Sequence, residues 1–117
     1  MHGIIIWFYV ETYIMIQLIL DKKKEIERIC MNHKVRSLSL TGSGYSGTWD
    51  PHASDIDFII EFEPMTPVEH ADYYFSLIEK LEHVLGCHVD LIEMAAVTNP
   101  YLRESFSSSQ EPLYAIA

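Results

Sequence analysis

The chain has 117 residues, of which 49% are hydrophobic and 21% charged, a balance that fits one globular domain and excludes a disordered segment. With 17 acidic against 8 basic residues the formal charge is −9, which leaves no basic stripe for phosphates and excludes general nucleic-acid binding. The acidic excess fits a divalent metal, a basic protein partner or simple solubility equally well.

The N-terminus, MHGIIIWFYVETYIMIQLIL, is apolar nearly throughout, and DKKK follows it. As a membrane span it is marginal: about 18 residues would just cross, with Glu11 near the middle at roughly 2.5–3.5 kcal/mol. A signal peptide is not expected, since there is no basic leader and no small-residue cleavage site. Two readings remain. Residues 4–10 form an extra strand, buried or facing a partner, or the natural chain begins at Met15. Residues 1–14 are therefore set apart as an apolar extension of open role, and 15–117 as the domain. So apolar a terminus makes self-association or a partner the expectation.

From Leu18 to His33 the spacing predicts a helix burying Ile19, Ile26, Ile29 and Cys30. Val35 to Thr41 alternates as a strand, with Leu38 and Leu40 on one face. GSGYSG then reads as a turn into a short helix, and TWDPHAS as a loop. Asp55 to Phe62 is the clearest strand. Ile56, Phe58, Ile60 and Phe62 fall on one face; Asp55, Asp57, Ile59 and Glu61 fall on the other. A helix from about Val68 to Leu85 follows, its stripe read as Ala71, Phe75, Ile78, Leu81 and Leu85, with Gly86 as the stop. CHVDLIE is a short strand, Asn99 to Ser108 a helix opened by Asn-Pro, and EPLYAIA a terminal strand or tail. The fold class expected is α+β: a small mixed sheet with helices on one face and an open, acidic face.

Aspartates are poor strand formers, and like charges side by side repel. Asp55 and Asp57 nevertheless share one strand face, and Asp90 can lie on the same face of a later strand. Three gathered carboxylates raise one another's pKa unless a cation is present. Hard oxygen ligands suit magnesium or manganese, and a two-ion site is the usual device for phosphoryl or nucleotidyl transfer. Gly42 and Ser43, at a strand end before a turn into a helix, can bring backbone N–H groups and a hydroxyl to a phosphate. Taken singly, each feature has a plainer reading, as surface aspartates or an ordinary turn. His52 and His88 lack ligand spacing and read as partly exposed polar residues. Tyr73, Tyr74 and Phe75 read as helix packing, and Trp49 as either a stacking platform or a core cover. Cys30 and Cys87 stand apart in no C-x-x-C pattern, so neither a disulfide framework nor a zinc ribbon is suggested, and a reducing cytoplasm is the expected compartment.

LTGSGYSGTWDPHASDIDFIIEF, followed by a helix and GCHVDLIE, resembles the nucleotidyltransferase superfamily typified by DNA polymerase β. Its short length, SDIDFIIEFEP and the ending NPYLRESF…LYA are similar to the minimal nucleotidyltransferases. Those pair as antitoxins with HEPN-domain toxins and move AMP from ATP to a tyrosine of the toxin. The resemblance covers about Met15 to Ala115 and implies a palm-like fold, two Mg²⁺ ions, ATP as substrate and a type VII-like antitoxin role. It implies that Gly42 and Ser43 contact the triphosphate, that Asp55 and Asp57 hold metal, and that Asp90 is the third carboxylate, both ligand and proton acceptor. One departure stands out. Where the family commonly reads Gly-Ser-x-Ala-Arg-Gly, Tyr45 and Ser46 replace Ala and Arg, which puts the hold on the phosphates in doubt. Two rivals follow: an antitoxin that neutralises by contact alone, and a transferase acting on a small cationic molecule such as an aminoglycoside.

Overall fold

The computed structural model describes residues 2–41, 55–108 and 110–116, with side chains from Gln17 onward. Within them the order is α1 (His2–Asn32), β1 (Val35–Thr41), β2 (Ile56–Phe62), α2 (Pro67–Leu85), β3 (Val89–Glu93), a 3₁₀ turn (Met94–Ala96), α3 (Pro100–Ser108) and β4 (Glu111–Ala115). The strands make one sheet in the order β3-β2-β1-β4. β1 pairs antiparallel with β2 and with β4, whereas β2 pairs parallel with β3, so the sheet is mixed as expected.

The core lies between this sheet and the two long helices. Ile26 and Cys30 of α1 and Leu77 and Leu81 of α2 meet Leu38, Ile56, Phe58 and Ile60 from the strands. The alternation in IDFIIEF puts Ile56, Phe58 and Ile60 down into it, all at most 2% exposed. At about 25 cal/mol per Å² of apolar area, each such side chain contributes roughly 1.5–3 kcal/mol. Burial also locks the register, because a one-residue slip would turn every carboxylate of β2 inward.

Each long helix has a chemically defined boundary. His33, 7% exposed, closes α1 through contacts of Nδ1 with the Ile29 carbonyl (2.7 Å) and Nε2 with Ser76 Oγ (2.9 Å). At α2, Thr66 Oγ1 accepts from the Glu69 amide at 3.2 Å while Glu69 reaches back to the Thr66 amide, a capping box. Gly86 ends the same helix at φ +71°, a left-handed conformation in which glycine has no Cβ penalty. Asn99 caps α3, its Oδ1 accepting from the amides of Tyr101 and Leu102.

Two expectations are corrected here. Residues 4–10 are not a strand but part of α1. The run of Ile, Trp, Phe, Tyr and Val favours a strand by propensity, yet helix propagation adds one hydrogen bond per residue with nothing to stop it after Gly3. The buried stripe of α2 is Leu77, Leu81 and Leu85, with Tyr74 and Ile78 packed beside it. Phe75 is 68% exposed. The two stripes share three residues, and Leu77 filling the core decides between them. The face away from the helices carries Asp57 and Asp90, as expected. Ser39, Thr41 and Ile59 on it are buried, and the 3₁₀ turn lies near β2. Among the described residues no helix is long and apolar enough to cross a membrane.

Because Phe58 is fully buried at the sheet centre, Phe58→Ala should lower stability by about 3–5 kcal/mol. Glu61→Ala, three residues on and exposed, should stay within about 0.5 kcal/mol. Urea unfolding of both variants checks the contrast.

Candidate active site

The parallel pairing of β2 with β3 builds the site. The Ile56 amide donates to the His88 carbonyl at 2.9 Å, bringing the heads of the two strands together. The ladder then sets Ile56 opposite Val89, Asp57 opposite Asp90 and Phe58 opposite Leu91. Since Val89 and Leu91 are buried in the core with Ile56 and Phe58, Asp57 and Asp90 must both project from the other face. On its other side Asp57 neighbours Thr41, the fully buried last residue of β1.

Two contacts hold β3 where Asp90 needs it. Glu82 Oε2, on the last turn of α2, accepts from the Val89 amide at 3.2 Å and meets His88 Nδ1 at 3.0 Å. Tyr74 donates its hydroxyl to the Leu91 carbonyl at 3.1 Å. Both tie the outer strand to α2, and sequence alone had pointed to neither. His88 is 87% exposed and turned to Glu82, so it keeps the plain role expected of it and does not join the aspartates.

The electrostatics register the crowding. Partial burial pushes the Asp57 carboxyl above its ordinary value of 3.8, the charges of Asp90 and then Asp55 push it further, and a hydrogen bond to Asp90 adds to this. The other two aspartates singled out in the sequence thus both act on Asp57. Asp55, at the head of β2, also helps raise the Cys87 thiol, after burial. Gly42, Ser43, Tyr45, Ser46, Trp49 and His52 lie outside the described residues, so the phosphate-binding half of the expected site does too.

The donor set is all carboxylate oxygen, which suits a hard divalent cation. Asp57 and Asp90 are ladder partners on one face, so the two fit a shared cation in kind. Among the described residues, no three His, Cys, Asp or Glu side chains are gathered tightly enough to hold an ion as they stand. Arg36 falls at a β-bulge in β1 and reaches Glu61 at 3.8 Å, toward the far end of β2. Arg103 donates to the carbonyls of Met94 and Val97.

Comparison with known proteins decides the family. The nucleotidyltransferase domain matches residues 22–110, from α1 to the start of β4. The chain belongs to that family. "Putative protein adenylyltransferase MJ1379" of Methanocaldococcus jannaschii is 38% identical over 95 residues, covering 81% of this chain and 91% of the relative. A second protein of that organism, "Putative protein adenylyltransferase MJ0128", is 37% identical over 89 residues, covering 74% and 83%. The solved structure of a "putative minimal nucleotidyltransferase" superposes with a TM-score of 0.63 at 26% identity, covering 83% of this chain and 94% of that one. The fold is shared as well by the MNT antitoxin bound to a tri-AMPylated HEPN toxin of Shewanella oneidensis (TM-score 0.54, 18% identity, 81% and 71% covered). The chain is a minimal nucleotidyltransferase, an enzyme class whose substrate is a nucleotide.

In this nucleotidyltransferase the raised Asp57 carboxyl means that the folded chain binds that proton more readily than the unfolded one. Stability therefore falls as pH rises from 3.8 through the raised value, and the whole penalty is present at neutral pH. Asp57→Asn should raise the melting temperature by a few degrees at pH 7 in metal-free buffer, the gain vanishing below about pH 4. Calorimetric melts across that range check it; a loss of stability at pH 7 would contradict the crowding.

Proposed function

We propose that this nucleotidyltransferase transfers AMP from ATP to a tyrosine hydroxyl of a HEPN-type toxin and so acts as its antitoxin. The observation that carries the reading is Asp57 held beside Asp90 at the head of the parallel strand pair, within the electrostatic reach of Asp55. The names of the relatives and the toxin complexes of the same fold support the acceptor class.

Asp55 and Asp57 would hold Mg²⁺, with Asp90 as third ligand, and Gly42 and Ser43 would meet the triphosphate. When bound, the metal neutralises phosphate charge and makes a hydroxyl more acidic. The chain's own contribution is placement and proton transfer. Asp90 is exposed at the outer strand, where an incoming hydroxyl can reach it, and accepts the proton as the hydroxyl oxygen bonds to the α-phosphorus. The bond from that phosphorus to the bridging oxygen breaks, and pyrophosphate leaves. Placement of the two reactants supplies the remaining acceleration, with no covalent intermediate on the enzyme.

The second reading, an antitoxin that works by contact alone, is favoured by one observation. Ser46 stands where the family arginine would be, and the arginines at 36 and 103 are engaged elsewhere. A small-molecule acceptor is less favoured, because a single domain offers little to build a separate acceptor pocket.

Titrating Mg-ATP calorimetrically into the wild type and the Asp55→Asn/Asp57→Asn variant tests the site. Metal-dependent binding, with a melting temperature that climbs with Mg-ATP, is expected only in the wild type. Label from the α-phosphate should then pass to a HEPN toxin, and Asp57→Asn should slow this by ~100-fold or more. Equal protection from the toxin by wild type and double variant, without label, would select the contact reading.

A further inference from the structure

Two and four residues beyond Asp57, Ile59 and Glu61 line one side of a cavity of about 890 Å³, to which Phe62, His70 and Glu93 contribute from the helix side of the sheet. Its floor is apolar, with Ile59, Phe62, Met65 and Met94 among its lining residues. Its rim is acidic: Glu61, Glu63 and Glu93 face one imidazole, His70, and one guanidinium, Arg103. That guanidinium is turned onto the backbone carbonyls of Met94 and Val97, where it braces the wall. The His70 imidazole is likewise committed, with Nε2 at 2.5 Å from Glu93. Glu61 is 63% exposed, its ion pair with Arg36 open to water and correspondingly weak. The groove thus joins an oily floor to a surplus of carboxylates, and Ile59 and Glu61 place one side of it on the face of β2 that carries Asp57.

Such a lining matches a long basic side chain, whose methylene stem lies on apolar surface while its head reaches carboxylates. The spacing narrows where that side chain belongs. From Asp57 to Glu61 is four residues of strand, about 13 Å at 3.3 Å per residue. An extended peptide laid along the face covers that distance with about four residues of its own. We propose that this cavity seats an arginine or lysine, with an apolar neighbour, about four residues from the acceptor tyrosine. It is the specificity groove for the protein substrate. This deepens the reading given above and rests on it for the tyrosine.

The test uses the full chain with Mg-ATP and short peptides carrying a central tyrosine, with arginine or glutamate four residues to either side. Phenylalanine versions report binding without transfer. One of the two arginine peptides should bind and accept label with a KM at least ~10-fold below its glutamate counterpart. Glu61→Lys/Glu63→Lys should erase that preference and raise the arginine peptide's KM with kcat held, and the milder Glu61→Gln/Glu63→Gln should do so partly. Equal use of arginine and glutamate peptides would overturn the groove and leave tyrosine transfer standing. An arginine peptide that binds in the groove but takes no label would uphold the groove and remove the tyrosine acceptor. No binding of any peptide to a chain that binds Mg-ATP overturns the groove.

Discussion

Everything in this protein hangs on the pairing of β2 with β3. It is a parallel ladder between a central strand and an edge strand, and nothing local in either sequence requires it. What enforces it is burial. Ile56 and Phe58 from one strand and Val89 and Leu91 from the other enter the same core, against Leu77 and Leu81 of α2. Once they are in, the opposite faces of the two strands have no freedom left, and Asp57 stands next to Asp90. Hydrophobic energy, which is non-directional, is converted into a specific electrostatic arrangement by the two-residue period of the strand.

That arrangement works against the stability of the fold that makes it. A carboxyl raised by its neighbours marks charge concentrated where water is partly excluded, and natural proteins keep such conflicts chiefly at functional sites. The supports around it are neutral or outward-facing. Glu82 holds the β3 backbone from the helix side, and Tyr74 does the same one residue beyond Asp90. Neither brings a positive charge to the aspartates.

The groove between α1 and α2 carries Lys24, Arg28 and Lys80 together with Asp21 and Glu25, so its charges are mixed. The arginines that approach the acidic face are tied down, Arg36 by Glu61 and Arg103 by backbone carbonyls. A face that keeps its negative charge can attract a basic partner from a distance and then hold it by apolar contact.

Much of this was legible in the sequence, for identifiable reasons. Period-two alternation in DIDFIIEF and VDLIE told which residues face the core, and hence that Asp57 and Asp90 share the other face. Asn-Pro and Gly86 marked helix ends because their backbone chemistry is local. Where two helical stripes overlapped in α2, periodicity was silent, and only the shape of the core chose Leu77 over Phe75. Residues 4–10 misled because strand propensity is a weak local preference and helix growth is cooperative. The bulge at Arg36, the grip of Glu82 and Tyr74 on β3, and the groove beyond Ile59 depend on neighbours distant in the chain. Sequence by itself determined the strands β1 to β3 and the residues that β2 and β3 turn to the core, because these follow from short-range periodicity. Which strand lies beside which, and how closely Asp57 meets Asp90, was decided only when the core closed, because burial acts on the chain as a whole.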